Sequence, residues 1–136
     1  MVDALSEARR ALKPGGCLID LRPTTRNRTV ELELESATLF IGEIDSSSTI
    51  PDHVCANDAL DAAQAAGDFR LEHKTVFHHW SDLDTVEDLI DFKTNLRRSV
   101  MPDSIFERIK ALTLGESSDF LIRVGREMLI ARYRRR

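Results

Sequence analysis

The amino-acid sequence predicts an α/β fold in one domain, residues 1–136, and three observations support this. Segments with apolar residues at helical spacing alternate with segments in which every second residue is apolar. Glycine and proline stand between several of these segments, where they end one element and let the next begin. Hydrophobic residues are 42% of the chain and charged residues 31%, which is typical of a soluble globular protein with its own core.

The first element is a helix that ends in a Pro-Gly-Gly turn and leads into a strand. Leu5, Ala8 and Leu12 recur at spacings of three and four, which places them on one apolar face. In the turn at residues 14–16, proline cannot continue the helix, and either glycine can take the left-handed conformation that ends it. A short apolar strand is expected at residues 17–22.

A hairpin, a helix and a long strand are expected next. Residues 29–35 have a strict period of two, with one apolar and one mainly acidic face, and residues 37–44 are predicted to be the partner strand. The small residues between about 52 and 66 favour a helix packed closely on a sheet, and Gly67 ends it. Residues 69–80 are then predicted to form a strand.

Two helices follow this strand. The first is expected from Ser81 to about Arg97, with Asp84 three residues after Ser81 as in a variant of the capping box. The second, shorter helix is expected to start at Pro102 and to end at Gly115.

The chain is predicted to end in strand. Residues 120–124 and 128–133 are two strand-like pieces, and Gly125 allows a turn or a bulge between them. The arginine-rich end, residues 132–136, is interpreted as a solvated terminus in preference to a phosphate-binding patch.

Three segments resemble class I methyltransferases that use S-adenosylmethionine. Residues 5–16, in the order L-x-E-x-x-R-x-L-K-P-G-G, resemble the junction before the fifth strand of that family. Residues 58–69, D-A-L-D-A-A-Q-A-A-G-D-F, resemble the helix before its sixth strand, and A-R-Y-R at residues 131–134 resembles the end of its last strand. The resemblance extends over nearly the whole chain, is specific at the two ends and is generic in between.

The resemblance implies a partial Rossmann-like sheet of mixed direction. Strand five would lie at about 17–22, strand six at 69–80 and strand seven at about 127–133. Strand seven would run antiparallel between the other two. The hairpin at 29–44 and the two helices at 82–113 would be insertions.

The motifs that hold the cofactor in that family are not found in these 136 residues. The family uses a glycine-rich turn after strand one and an acidic residue after strand two. Here no G-x-G-x-x-G exists, and Gly15 and Gly16 come after a helix and before a strand, which is the reverse order. We therefore expect no cofactor and no methyl transfer for this chain alone, and S-adenosylmethionine only if an N-terminal half completes it.

The resemblance implies a pocket at the carboxyl ends of the parallel strands. Its candidate lining residues are Asp20, Arg22 and Arg26 after strand five, and His79 and Trp80 after strand six. Arg22 is the most suggestive, because its guanidinium can bind a carboxylate or phosphate through two nitrogens. His79 could act as a general base, although an exposed strand-end histidine is the simpler interpretation. No catalytic residue is assigned.

Metal and thiol chemistry receive little support. His78 and His79 are consecutive in a strand and point to opposite faces, so they cannot bind one metal ion together. Cys17 and Cys55 are too few for a disulfide framework, and neither is near a histidine at a diagnostic spacing. No metal site is predicted, and a reducing cytoplasm is the expected location.

Charge and edge strands suggest which partners to expect. A net charge of −4 argues against a general nucleic-acid binder, and no apolar run approaches the ~20 residues of a membrane span. Strand five would have one apolar, unpaired edge, which invites another chain. A homodimer or higher oligomer, or a complementing N-terminal half, is therefore expected, unless the hairpin at 29–44 covers that edge.

Three functions remain open. The chain is part of a methyltransferase that is active only with an N-terminal half, or a non-enzymatic module for oligomerisation or partner binding, or a small-molecule-binding protein that uses the strand-end pocket.

Overall fold

The computed structural model describes residues 2–114 and 119–136 and has an α/β fold. In these residues there are four α-helices and one open sheet of five strands. The helices are α1 (Val2–Ala11), α2 (Ile50–Ala65), α3 (Val86–Thr94) and α4 (Asp103–Thr113). The strands are β1 (Cys17–Pro23), β2 (Arg28–Leu34), β3 (Ala37–Ile44), β4 (Phe69–Leu83) and β5 (Phe120–Arg135). The expected helix end at Gly115 lies outside the described residues.

The long strand β5 organises the sheet. Its second half pairs antiparallel with β1, and its first half pairs antiparallel with β2, which in turn pairs with β3 to form the predicted hairpin. β4 also pairs with β5. Ion pairs join Glu72 to Arg134 and Asp82 to Arg123, so β4 runs antiparallel to β5 as well. The described pairings are thus antiparallel. The sequence predicted a sheet of mixed direction, and β1 and β4 would be its parallel strands, but β5 lies between them, so they do not pair with each other.

The chain divides into two compact units, each with its own core. Unit 1 is formed by residues 2–24, 50–77 and 127–136, and unit 2 by residues 25–49, 78–114 and 119–126. Both β4 and β5 contribute residues to each unit.

The core of unit 1 lies between α2 and the sheet. Leu60 and Ala63 of α2 pack with Phe69 and with inward-facing residues of β5, among them Tyr133. Of the small residues that the sequence predicted to pack on the sheet, Ala59 and Ala63 are buried, whereas Cys55, Ala62 and Ala66 are exposed. Leu5 and Leu12 of α1 pack against the same cluster.

The core of unit 2 is built by the hairpin, the first half of β5 and the two short helices. Val30 and Leu32 of β2, Leu89 of α3, Ile109 of α4 and Ile122 of β5 are fully buried. The glutamates of β2 alternate with these apolar residues and are half-buried or exposed, in agreement with the expected acidic face.

The prediction that a helix starts at Ser81 was wrong. Ser81 is still within β4, and α3 starts only at Val86. The capping box lies four residues later than expected: the Thr85 hydroxyl accepts from the Asp88 backbone N–H at 3.0 Å, and the Thr85 N–H donates to the Asp88 carboxylate at 3.0 Å. Pairing with β5 extends the strand through Trp80 and Ser81, and the capping box at Thr85 and Asp88 then begins the helix.

The two predicted terminal pieces form one continuous strand, β5. Its buried residues change from even positions, such as Ile122 and Val124, to odd positions, such as Leu129 and Ala131. A change of this kind is what a β-bulge produces. At the change lies Gly125, where a Cβ would be 2.5 Å from the Trp80 ring and 2.8 Å from the Thr29 hydroxyl. Gly125 is therefore needed for close packing.

Candidate functional site

Asp20 and Arg22 are brought together on one face of β1. The Arg22 Nε donates to the two carboxylate oxygens of Asp20 at 2.9 and 3.2 Å, and both side chains are about one-seventh exposed, at 13% and 15%. The guanidinium also donates to the His53 carbonyl at 3.2 Å and to the Asn57 side chain, both on α2. The Arg22 nitrogens, which the sequence analysis expected to bind a ligand, therefore connect β1 to α2 through hydrogen bonds.

The other three predicted site residues belong to unit 2. Arg26 is exposed in the bend between β1 and β2, and His79 is exposed on β4. Trp80 is half-buried. Its ring centroid lies 4.8 Å from the Arg123 guanidinium carbon and 6.0 Å from the centroid of the His78 ring. Of the five residues, the structure joins Asp20 to Arg22 directly. A pocket formed by all five stays a prediction.

Unit 1 contains a second group of paired charges, around Glu72. Its carboxylate accepts from Arg134 at 2.9 and 3.0 Å, and Arg132 and Arg70 approach it to 3.0 and 3.3 Å. Hydrogen bonds from Arg134, together with the charges of Arg134 and Arg132, lower the pKa of Glu72 to about 2. This carboxylate is thus ionised at any physiological pH, and its acceptors are used within the sheet.

Unit 2 contains a cavity of about 340 Å³ lined by four arginines, Arg28, Arg97, Arg98 and Arg126. We refer to it as the arginine pocket. Arg28 begins β2 and Arg126 lies on β5, next in sequence to the paired residues Thr29 and Gly125. The pairing of the two strands therefore brings two cations together at one end of the cavity. No carboxylate lines the cavity among the described residues.

Two loops hold the other side of the arginine pocket. Asp45 and Val100 exchange backbone hydrogen bonds of 2.8 and 2.9 Å, which connect the segment after β3 to the segment before α4. The Arg98 guanidinium donates to the Ser48 carbonyl at 2.7 Å, and the Ser48 hydroxyl donates to the Arg98 carbonyl. These reciprocal bonds fix the segment that presents Arg97 to the cavity.

The arginines of the pocket differ in how well their charges are satisfied. Arg98 is held by Ser48, whereas Arg28, Arg97 and Arg126 form no ion pair with any described residue. The Arg28 Nε is buried and lacks a hydrogen-bond partner in the described part of the chain, and its guanidinium lies over the Phe92 ring, 5.7 Å from the centroid. Burial lowers the pKa of Arg28. Burial, and then the charge of Arg28, lower the pKa of Arg126. Such a concentration of one charge favours an anionic ligand.

Sequence reasoning did not find this pocket. The adjacent Arg97 and Arg98, between two predicted helices, were the only local signal. Arg28 and Arg126 are 98 positions apart in the sequence, and only the pairing of β2 with β5 brings them together.

Other groups of polar side chains support a binding site less well than the arginine pocket does. A cleft of about 460 Å³ in unit 2 is lined by carboxylates, among them Glu33, Glu35 and Asp84. Within residues 2–114 and 119–136, no group of three His, Cys, Asp or Glu side chains is arranged to hold a metal ion. In the same residues, no helix combines the length and apolar character needed to cross a membrane.

Comparison with known proteins adds no relative: no protein-family model, no curated protein and no solved structure matches this chain. The resemblance to class I methyltransferases therefore depends on the residues and strand order described above, and it stays a prediction.

Proposed function

We propose that this chain is a methyltransferase-related module that corresponds to the later elements of the class I domain. In this proposal the chain does not bind S-adenosylmethionine or transfer methyl groups alone, and catalysis needs an N-terminal half that carries the cofactor motifs. Cytoplasm is the proposed location, because the thiols of Cys17 and Cys55 are free and exposed, as a reducing compartment would keep them.

The observation that supports this proposal best is the place of β5. It runs antiparallel to β1 and pairs also with β4, which is the arrangement that the resemblance implies for strands five, seven and six. The Pro-Gly-Gly turn before β1 agrees as well, since the Gly16 N–H donates to the Lys13 carbonyl at 2.8 Å and Gly15 has a φ of 78°. The helix itself ends earlier than the sequence predicted, at Ala11, so Gly15 shapes the turn and does not end the helix. The hairpin and the pair α3 and α4 take the places of the two proposed insertions.

Calorimetric titration with S-adenosylmethionine and S-adenosylhomocysteine tests the cofactor part of this proposal. We expect no heat of binding and no shift in thermal unfolding for the 136-residue chain. Measurable binding at one molecule per chain would contradict the proposal, because it would show that these residues form a cofactor site without the glycine-rich turn. A circular dichroism spectrum of the same sample serves as the control for folding.

A second candidate function is oligomerisation, and the outer face of β1 favours it. Ile19 and Leu21 are 51% and 56% exposed, and among the described strands β1 pairs only with β5. Cover of this edge by the hairpin at 29–44 stays the alternative prediction. An apolar strand with an open edge is a surface for a second copy of the chain.

Size-exclusion chromatography with light scattering tests this second candidate. We expect a homodimer at micromolar concentration that dissociates in Ile19→Lys, where a charge replaces an exposed apolar side chain. Glu7→Lys changes an exposed residue of α1 and serves as the control. A monomer in the unmodified chain would rule this function out.

A further inference from the structure

We propose that the arginine pocket of unit 2 binds the phosphate group of a small organic molecule. The pocket residues come from the hairpin, the turn before α2, the α3–α4 region and residue 126 of β5, none of which carries the resemblance to methyltransferases. The proposal therefore stands or falls independently of the function proposed above.

The charge balance of the pocket calls for an anion. Arg28, Arg97 and Arg126 each bring a full positive charge to one cavity, and no described carboxylate pairs with them. Arginine side chains that only stabilise a fold usually find an acceptor, as Arg22 does with Asp20. A phosphate monoester carries a charge of about −1.5 to −2 near neutral pH, which would compensate two of the three cations.

The geometry of the pocket suits an oxyanion with several acceptor oxygens. Arg28 and Arg126 approach the cavity from paired strands, and Arg97 approaches it from the loop after α3. The buried Arg28 Nε has a hydrogen to donate and no described acceptor. Arg28 lines the cavity, and an oxyanion there would compensate the charge of a guanidinium whose buried nitrogen finds no acceptor within the fold. A planar guanidinium can bind two phosphate oxygens at once.

The walls of the cavity indicate that the phosphate belongs to an organic molecule. Phe92 and Leu96 form an apolar wall beside the arginines, and a volume of about 340 Å³ is within the range of small-molecule sites. Inorganic phosphate would leave that wall uncovered. A flat or partly apolar body attached to the phosphate would pack against Phe92, on whose ring Arg28 already lies.

A carboxylate and a nucleic acid fit the pocket less well than a small phosphate ester. A single carboxylate would compensate one cation and leave the repulsion between the other two. A nucleic acid would need a longer basic surface, whereas the chain has a net charge of −4 and the unpaired arginines converge on one cavity.

Titration calorimetry with four probes tests the proposal on the full chain. Phenyl phosphate, inorganic phosphate and benzoate separate the contributions of phosphate and ring, and a short single-stranded oligonucleotide tests the nucleic-acid alternative. We expect one molecule of phenyl phosphate per chain, weaker binding of inorganic phosphate, and still weaker binding of benzoate. The Arg28→Gln and Arg126→Gln variants should each bind phenyl phosphate about tenfold more weakly or worse, the loss expected for a charged hydrogen bond.

Two further variants make the test decisive. Arg97→Gln changes an exposed residue, so it should fold normally and still weaken phenyl phosphate binding. Arg10→Gln removes the same charge from an exposed residue of α1 in unit 1 and should leave binding unchanged. Four results would overturn the proposal: no saturable binding of phenyl phosphate at millimolar concentration, equal binding of benzoate, tighter binding of the oligonucleotide, or undiminished phenyl phosphate binding in the folded variants of Arg28, Arg97 and Arg126.

Discussion

The same strand, β5, supplies arginines to both units, and their surroundings differ. In unit 1, Arg132 and Arg134 both reach the carboxylate of Glu72, at 3.0 and 2.9 Å. In unit 2, Arg126 enters a cavity beside Arg28, and neither forms an ion pair with a described residue. β5 thus carries two arginines that are paired with a carboxylate and one, Arg126, that has no described carboxylate partner.

This difference separates paired arginines from arginines that have no described carboxylate partner. A paired guanidinium has already exchanged its water for protein acceptors, so little remains for a ligand to gain. An unpaired, partly buried guanidinium has lost water without a replacement, and an anion can restore that interaction. The sequence made Arg22 the most suggestive ligand-binding arginine. In the structure Arg22 is paired with Asp20, whereas the buried Arg28 Nε has no partner among the described residues.

The largest effect is expected from Asp20→Ala in unit 1. The substitution leaves the nearly buried Arg22 without its carboxylate, which should lower the free energy of unfolding by about 3 kcal/mol. Urea denaturation followed by circular dichroism measures this change. Glu7→Ala breaks the exposed pair between Glu7 and Arg10 and should cost less than about 0.5 kcal/mol. Equal effects of the two variants would refute the structural role of Asp20 and Arg22.

The next effect concerns Trp80, a predicted site residue whose neighbour Arg123 is paired. Gly125→Ala forces a methyl group against the Trp80 ring and the Thr29 hydroxyl. We expect a loss of about 2 kcal/mol in unfolding free energy, as for other overpacked sites. In the double variant Gly125→Ala/Trp80→Leu, the smaller side chain should recover part of the loss. If Gly125→Ala alone were neutral, Trp80 would not be held against β5.

The third effect is a dependence of the melting temperature on pH below 4.5. Because the pKa of Glu72 is about 2, below its ordinary value of 4.5, its ionised form stabilises the fold above pH 4.5. This contribution is lost as the pH falls from 4.5 towards 2. Melting temperatures across this range should fall less steeply in Glu72→Gln than in the unmodified chain. Arg28→Gln removes a pocket cation that has no carboxylate partner, so the slope of melting temperature against pH should stay that of the unmodified chain. A flatter slope in Arg28→Gln would contradict the difference drawn between the Glu72 group and the arginine pocket.

The smallest effect is expected from Arg28→Gln on stability without ligand. The variant loses the favourable contact of Arg28 with Phe92, but it also removes a partly buried charge that repels Arg126. Because these effects oppose each other, the free energy of unfolding should stay within about 0.5 kcal/mol of that of the unmodified chain. Urea denaturation in phosphate-free buffer measures it. A loss as large as that of Asp20→Ala would mean that Arg28 is a structural residue like Arg22.

Local patterns predicted the elements that depend on neighbours in sequence. The Pro-Gly-Gly turn, the alternation in β2 and the small residues of α2 each indicated the element that is found. The start of α3 was misplaced because the Ser81–Asp84 and Thr85–Asp88 spacings are equivalent caps until the pairing of β4 is known. The arginine pocket could not be predicted, since the position of Arg28 beside Arg126 depends on the long-range register of β2 and β5.

Each unit contains one intrinsic optical probe, Trp80 in unit 2 and Tyr133 in unit 1. Trp80, the only tryptophan, lies in unit 2 and contacts His78 and Arg123, and Tyr133, the only tyrosine, is buried in unit 1. Tryptophan emission excited selectively therefore reports on unit 2. Second-derivative absorbance, which resolves the tyrosine bands from the overlapping tryptophan bands, reports on unit 1. Spectroscopy on the unlabelled chain can thus distinguish events at the arginine pocket from events around Glu72.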